Sequence, residues 1–186
     1  HPGLLVVTPA TPADMYGLLR GAIREDNPVV VLEHKMLFTM SGEVPDDQGP
    51  MELGRAVIRR PGKDVTVVAT QVMMHRALEA AEILAREGIS AEVIDLRSIV
   101  PLDRTTILES LARTNRIVTV EEAVETASWG SEIASLAATE GVYDLAAPVG
   151  RINMGRNLIP YSPPLEDAVI PTVERIVEGI RGTARA

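Results

Sequence analysis

The stretch Asp64-Val65-Thr66-Val67-Val68-Ala69-Thr70 decides the fold. Within it Val65–Thr70 is continuous and β-branched, the pattern of a strand buried on both faces in a parallel sheet. A helical stripe follows over about His75–Glu87, with Leu78, Ala81, Leu84 and Ala85 facing inward and Glu82 and Arg86 spaced as an i, i+4 ion pair. Gly88 is placed to close that helix. Ala91–Leu96 reads as a second strand. Pro101 and an Asp103 N-cap open a second helix whose inner face is Ile107, Leu108 and Leu111, and Ile117–Val120 is a third strand. Three strands joined by two helices require right-handed crossovers and hence parallel pairing, with helices on both faces. The expected fold is α/β: a three-layer sandwich around a mainly parallel sheet.

Working outward, Leu4–Thr8 is a short apolar strand, and Thr11-Pro12 offers an N-cap followed by proline at the first helical position. Asp14 stands in the first turn, where a carboxylate suits the helix dipole. Met15, Leu18, Leu19, Ala22 and Ile23 form the stripe of an amphipathic helix, Asn27-Pro28 ends it, and Val29–Leu32 is a strand. Residues 1–34 therefore make one βαβ unit. Residues 35–63 carry Pro45, Asp46, Asp47, Gly49, Pro50, Pro61 and Gly62 and read as a linker, with one short strand near Gly54–Ile58. Residues 64–186 are the main domain. Its later part holds a helix near Glu132–Glu140, a strand near Val149–Ile152, a Pro-rich turn at Pro160–Pro164 and a last helix near Val173–Arg181.

The composition is that of a folded globule: 186 residues, 46% apolar and 24% charged. Cysteine is absent, which excludes disulfides and thiolate chemistry. Lys+Arg minus Asp+Glu is 18 − 26 = −8, and aromatics are few. Neither fits a nucleic-acid footprint. No apolar run is long enough to span a bilayer. The first residue is His1 and no leader pattern follows, so a removed start or a piece of a longer chain is expected.

Signature motifs for phosphate loops, dinucleotides and nucleophile elbows are absent. His1, His34 and His75 are too scattered for a metal site, and a surface or capping role is expected. Met73 and Met74 suit core filling. Glu121 and Glu122 end a parallel strand, where α/β sheets place ligands, so two readings stand: a general acid or base, or solvated and capping carboxylates. Asp95 and Arg97 invite the same choice, and a structural ion pair between them is the expectation.

The segments Asp64–Thr70, Met74–Ala81, Gly88–Arg97 and Pro101–Asp103 resemble the C-terminal transketolase-like domain. More narrowly, the chain is similar to the beta subunit of the thiamine-diphosphate-dependent decarboxylating component of 2-oxo acid dehydrogenases. Ala22–Lys35 resembles the end of that subunit's pyrimidine-binding domain. Trp129–Ile133, Leu145–Arg151 and Ile159–Glu166 resemble its late segments, with Glu33-His34-Lys35 nearest the pyruvate or acetoin type. Transketolase and deoxyxylulose-phosphate synthase share the domain but fit Glu92–Arg97 and Tyr161–Glu166 less well.

The resemblance implies an oxidoreductase assembled from alpha and beta subunits in the cytoplasm of a bacterium or archaeon, as part of a multienzyme complex. Thiamine diphosphate and magnesium would lie between subunits. The catalytic and cofactor-binding residues of the beta subunit would precede His1, leaving none in this chain and making it inactive alone. A monovalent-cation site, for potassium, would draw on Ala22, Glu25 and Asn27. Partners would be the alpha subunit, a second beta subunit in a homodimer contact, and the acyltransferase core, docked on the Pro-rich loop, where Asn157 replaces a family aspartate. A free-standing, non-catalytic binding module is the alternative. As a lone βαβ unit, residues 1–34 should leave Leu4–Thr8 and Val29–Leu32 as unpaired edges and one helix face uncovered, packed on another copy or poorly ordered.

Overall fold

The computed structural model describes residues 2–186. Along the chain run β1 (Leu5–Val7), α1 (Pro12–Arg24), β2 (Val29–Val31), β3 (Val57–Arg60), β4 (Val65–Ala69), α2 (Gln71–Arg86), β5 (Ala91–Asp95) and β6 (Ser98–Val100). Then come α3 (Arg104–Thr114), β7 (Ile117–Val120), α4 (Trp129–Thr139), β8 (Gly150–Ile152), α5 (Pro163–Val169) and α6 (Val173–Arg185).

The main sheet has the order β3-β5-β4-β7-β8. β5, β4, β7 and β8 are parallel, and β3 is antiparallel at the edge. β4 sits in the middle and every one of its residues is buried, as its apolar run requires. Its alternation divides the core. Val65, Val67 and Ala69 pack with Met73, Ala77, Leu84, Ile176 and Ile180 of α2 and α6. Val68 points the other way, to Ile107 and Leu111 of α3 and Ile133 and Leu136 of α4. The result is the expected three-layer sandwich.

Local details differ from the sequence reading for physical reasons. The inner face of α2 is Met73, Met74, Ala77, Ala80, Ala81 and Leu84, while Ala85 is exposed. Glu82 pairs with Arg60 at 3.0 Å across elements rather than with Arg86. Gly88 closes α2 at φ +83°, a left-handed position that glycine fills without strain. Asp103 caps α3, accepting from the Thr106 N–H at 3.1 Å, and also accepts the Ala56 N–H at 2.9 Å. The Pro160–Pro164 turn extends into α5, because Pro163 and Pro164 occupy first-turn positions where a missing N–H costs nothing.

The N-terminal unit is tied into the rest. β1 pairs with β2 in parallel and with β6 antiparallel, so it is the centre of a second, three-stranded sheet. The expectation of an unpaired edge at Leu4–Thr8 is corrected: a strand that follows the main sheet's own β5 fills that place. β2 remains an edge.

Part of the apolar stripe of α1 is uncovered, as expected of a lone βαβ unit. Leu18 is buried, but Leu19 is half-exposed and Ile23 is 74% exposed. The inward positions include Gly17 and Asp14 instead. Gly17 and Gly21 form a notch that receives residues 48–53: the Met51 N–H donates to the Gly17 carbonyl at 2.9 Å. A Cβ on Gly17 would lie 2.6 Å from Met51 Cγ, and one on Gly21 would overlap the Met51 carbonyl oxygen. The segment between the sheets is therefore a strap laid across α1.

Candidate functional site at the junction of the two sheets

Where α1 meets the main sheet, four charged side chains gather. Asp14 of α1 and Asp95 at the end of β5 are both buried. Arg59 of β3 lies between them: Nη2 donates to Asp95 Oδ2 at 2.9 Å and also to Asp14 Oδ2. Arg97 Nη1 stands 3.7 Å from Asp14 Oδ1. Thr11 donates its hydroxyl to Asp14 at 2.6 Å. The expected Asp95–Arg97 side-chain pair is thus corrected. Arg97 takes φ +54°, donates its backbone N–H to Asp95 at 3.2 Å, and turns its guanidinium to Asp14 and the Arg55 carbonyl. Burial pushes Asp95 up to about 6, against the lowering pull of Arg59, and neighbouring Asp14 raises it further. Two carboxylates and two guanidiniums with so little solvent are a structural lock between the units.

The strand-end glutamates divide their roles. Glu121 is fully buried and caps α4, accepting from the Gly130 N–H at 3.0 Å and the Ser128 hydroxyl at 2.8 Å. Gly130 has no side chain because a Cβ there would overlap the Glu121 carboxylate. This is the capping reading. Glu122 instead meets His34: its Oε2 lies 3.0 Å from Nε2 across 88 residues of chain. His34 Nδ1 accepts the Met36 N–H at 3.3 Å, capping the one-turn 3-10 helix Lys35–Leu37. Both ring nitrogens are engaged, so His34 is a joint rather than a free base. His75 likewise bonds the Ala10 carbonyl at 2.8 Å. The surface or capping role expected of the histidines fits His34, whereas His75 ties α2 to the loop before α1, and His1 lies outside the described residues.

Around this joint is a crevice of about 250 Å³, lined by Thr8 and His34 from the N-terminal side and by Thr70, Gln71, Glu122 and Trp129 from the main domain. A second, more apolar cavity of about 230 Å³ lies on the other side of His34, under Leu37 and Phe38. Nothing in the sequence pattern brings His34 and Glu122 together. A glutamate just past a central parallel strand was the available signal.

The structure places Ala22, Glu25 and Asn27 at the end of α1 and just beyond it. The Ala22 carbonyl accepts the Glu25 N–H at 3.2 Å, and Glu25 Oε1 accepts from Asn27 Nδ2 at 2.8 Å. Glu25 and Asn27, but not Ala22, line an open cavity shared with Glu52 and Leu53. Among the described residues no group of three or more His, Cys, Asp or Glu is placed to hold a metal ion. Among the described residues no helix is long and apolar enough to cross a membrane.

Residues 54–176 match the family model described as transketolase, C-terminal domain. The chain is 44% identical over 184 residues to the beta subunit of acetoin:2,6-dichlorophenolindophenol oxidoreductase of Cupriavidus necator, covering 99% of this chain and 54% of that one. It is 46% identical over 184 residues to the mitochondrial pyruvate dehydrogenase subunit beta-2 of Oryza sativa subsp. japonica, covering 97% and 49%. With the 2-oxoisovalerate dehydrogenase subunit beta of Bacillus subtilis it shares 37% over 187 residues, covering 99% and 57%. The chain spans about half the length of the curated relatives it matches. A solved structure titled as a split-gene transketolase, inactive beta4 tetramer, superposes with a TM-score of 0.83 at 29% identity, covering 99% of this chain and 59% of that one. The buried βαβαβ core and the match over most of its length lead to one conclusion: this chain belongs to the transketolase C-terminal domain family.

Proposed function

We propose that the chain is the C-terminal part of the beta subunit of a thiamine-diphosphate-dependent 2-oxo acid or acetoin dehydrogenase, and that it serves subunit assembly rather than chemistry. The supporting observation is the similarity along 97–99% of the chain to beta subunits named for acetoin, pyruvate and 2-oxoisovalerate oxidation. In this reading residues 1–34 end a pyrimidine-binding domain, 35–63 link, and 64–186 form the C-terminal domain. The partners are an alpha subunit, a second beta subunit and the acyltransferase core, and the compartment is the cytoplasm of a bacterium or archaeon.

The residues present do not form a cradle for thiamine diphosphate and its magnesium. Of the carboxylates at the strand ends, Glu121 caps α4 and Asp95 binds Arg59, while Glu122 gives one oxygen to His34. No step of the reaction is assigned to this chain, and the cofactor belongs to the alpha–beta assembly. The isolated polypeptide, supplied with thiamine diphosphate, magnesium and pyruvate, is expected to release no carbon dioxide. Turnover above the protein-free rate would overturn the assembly role.

Ala22, Glu25 and Asn27 supply part of a potassium site, since oxygen donors suit a hard cation. Exchanging potassium for tetramethylammonium is expected to lower the melting temperature of the full beta subunit by about 2–4 °C, the equivalent of about 1 kcal/mol. An unchanged melting temperature would remove the site.

A further inference from the structure

The crevice beside His34 lies at a topological switch point. From β4 the chain crosses through α2 to β5 on one side, then returns through α3 to β7 on the other. Open α/β sheets place ligands outside the carboxyl ends of the two strands where the order reverses. Here those ends are Thr70 and Gln71 after β4 and Glu122 after β7, and all three line the crevice.

Several polar groups there lack partners among the described residues. Thr70 is the N-cap of the 16-residue α2 and 92% buried by position, with 8% exposed, yet its side chain makes no capping bond. Val72 and Met73, both buried residues, stand in the first turn of α2, where backbone N–H groups have no intrahelical acceptor. The Thr8 hydroxyl across the crevice is buried and unpartnered. Buried donors without acceptors cost free energy unless something fills them. This donor set, at the positive end of a long helix, suits a carboxylate.

The opposite side has the reverse character. Glu122 gives one oxygen to His34 and keeps the other free among the described residues, so a cation is favoured there and a lone anion is repelled. Val72, Met73 and Ile99 give the remaining wall an apolar surface. At about 30 Å³ per water, the volume equals roughly eight waters, the size of a small metabolite.

We propose that this crevice binds a free α-amino acid with an apolar side chain, its carboxylate on Thr70 and the first N–H groups of α2, its ammonium on Glu122, and its side chain against Val72, Met73 and Ile99. Gln71 anchors the site. It holds φ +49° and donates its side-chain amide to the Leu32 carbonyl at 2.7 Å, fixing the N-terminal unit as the roof. Binding therefore bridges the two units and couples ligand concentration to how firmly they are held together.

Trp129 is the single tryptophan of the chain and borders the crevice, so its fluorescence reports occupancy. The test titrates the intact polypeptide with L-leucine, with leucinamide, which lacks the carboxylate, and with 4-methylpentanoate, which lacks the ammonium. L-leucine is expected to give a saturable change with a dissociation constant in the millimolar range or tighter, and each analogue to bind at least about 10-fold more weakly. Glu122→Gln is expected to weaken L-leucine about 10-fold while tightening 4-methylpentanoate, since the ammonium contact and the repulsion of a lone anion are lost together. If that variant does not fold, the analogue comparison on the natural chain decides. No saturable response to L-leucine up to about 20 mM, or 4-methylpentanoate binding as tightly as L-leucine, would overturn the proposal.

Discussion

Arg59→Ala is expected to lower stability by about 3–5 kcal/mol, because it strips the shared counter-charge from two buried carboxylates. The loss should depend on pH. Without Arg59, Asp95 keeps its burial penalty and its repulsion from Asp14 but loses its main attraction, so it takes up a proton more readily. The loss should then be smaller at about pH 5 than at about pH 8. In the natural chain the folded value of Asp95, about 6, lies above its ordinary 3.8. Its contribution to stability is therefore fully present below about 3.8 and is lost as pH rises through about 6. Asp95→Asn removes that slope. Urea midpoints across this window test both variants; an Arg59→Ala loss that is the same at both pH values would show that the lock is not electrostatic.

The second large effect is Gly62→Ala. Gly62 lies just past β3, where the chain presses on the start of β5. A Cβ there would overlap the backbone nitrogen of Glu92 and the carbonyl carbon of Ala91. Backbone cannot rotate away as a side chain can, so β3 must detach from β5 or the ladder must shift. Either loses the edge pairing that also positions Arg59. The expected cost is about 3–5 kcal/mol, in the range of severe single substitutions. Gly182→Ala, with open space around its Cβ, is the control and should stay within about 0.5 kcal/mol. Equal thermal shifts for the two variants would contradict the packing described.

The parallel core was legible because β4, β5 and β7 are buried on both faces and so read as short, mostly aliphatic runs, interrupted in β5 by Glu92 and Asp95. Gly88 and Asp103 were legible because capping is local chemistry. What failed was whatever depends on distant partners. The stripe on α1 is apolar by spacing, but its helix turns Asp14 and the Gly17–Gly21 notch inward to meet Arg59 and Met51. Residues 35–63 read as a linker with one short strand near Gly54–Ile58; the strand is there, at Val57–Arg60, but the strap across α1 had no local signature. The His34–Glu122 joint spans 88 residues and has no local signature. Ser98–Val100 was invisible as a strand because its partner, β1, belongs to the other unit.

The Asp14–Arg59–Asp95 lock, the strap and the β1–β6 pairing together hold residues 1–34 against the main sheet in one orientation.

The most direct test is native mass spectrometry of the polypeptide carrying this sequence, purified from its source cell, together with a decarboxylation assay of the same sample. The account predicts a heterotetramer of two beta chains with two alpha chains, carrying thiamine diphosphate and releasing carbon dioxide from a 2-oxo acid or cleaving acetoin. A particle built from this chain alone, without the cofactor and without turnover, would contradict it.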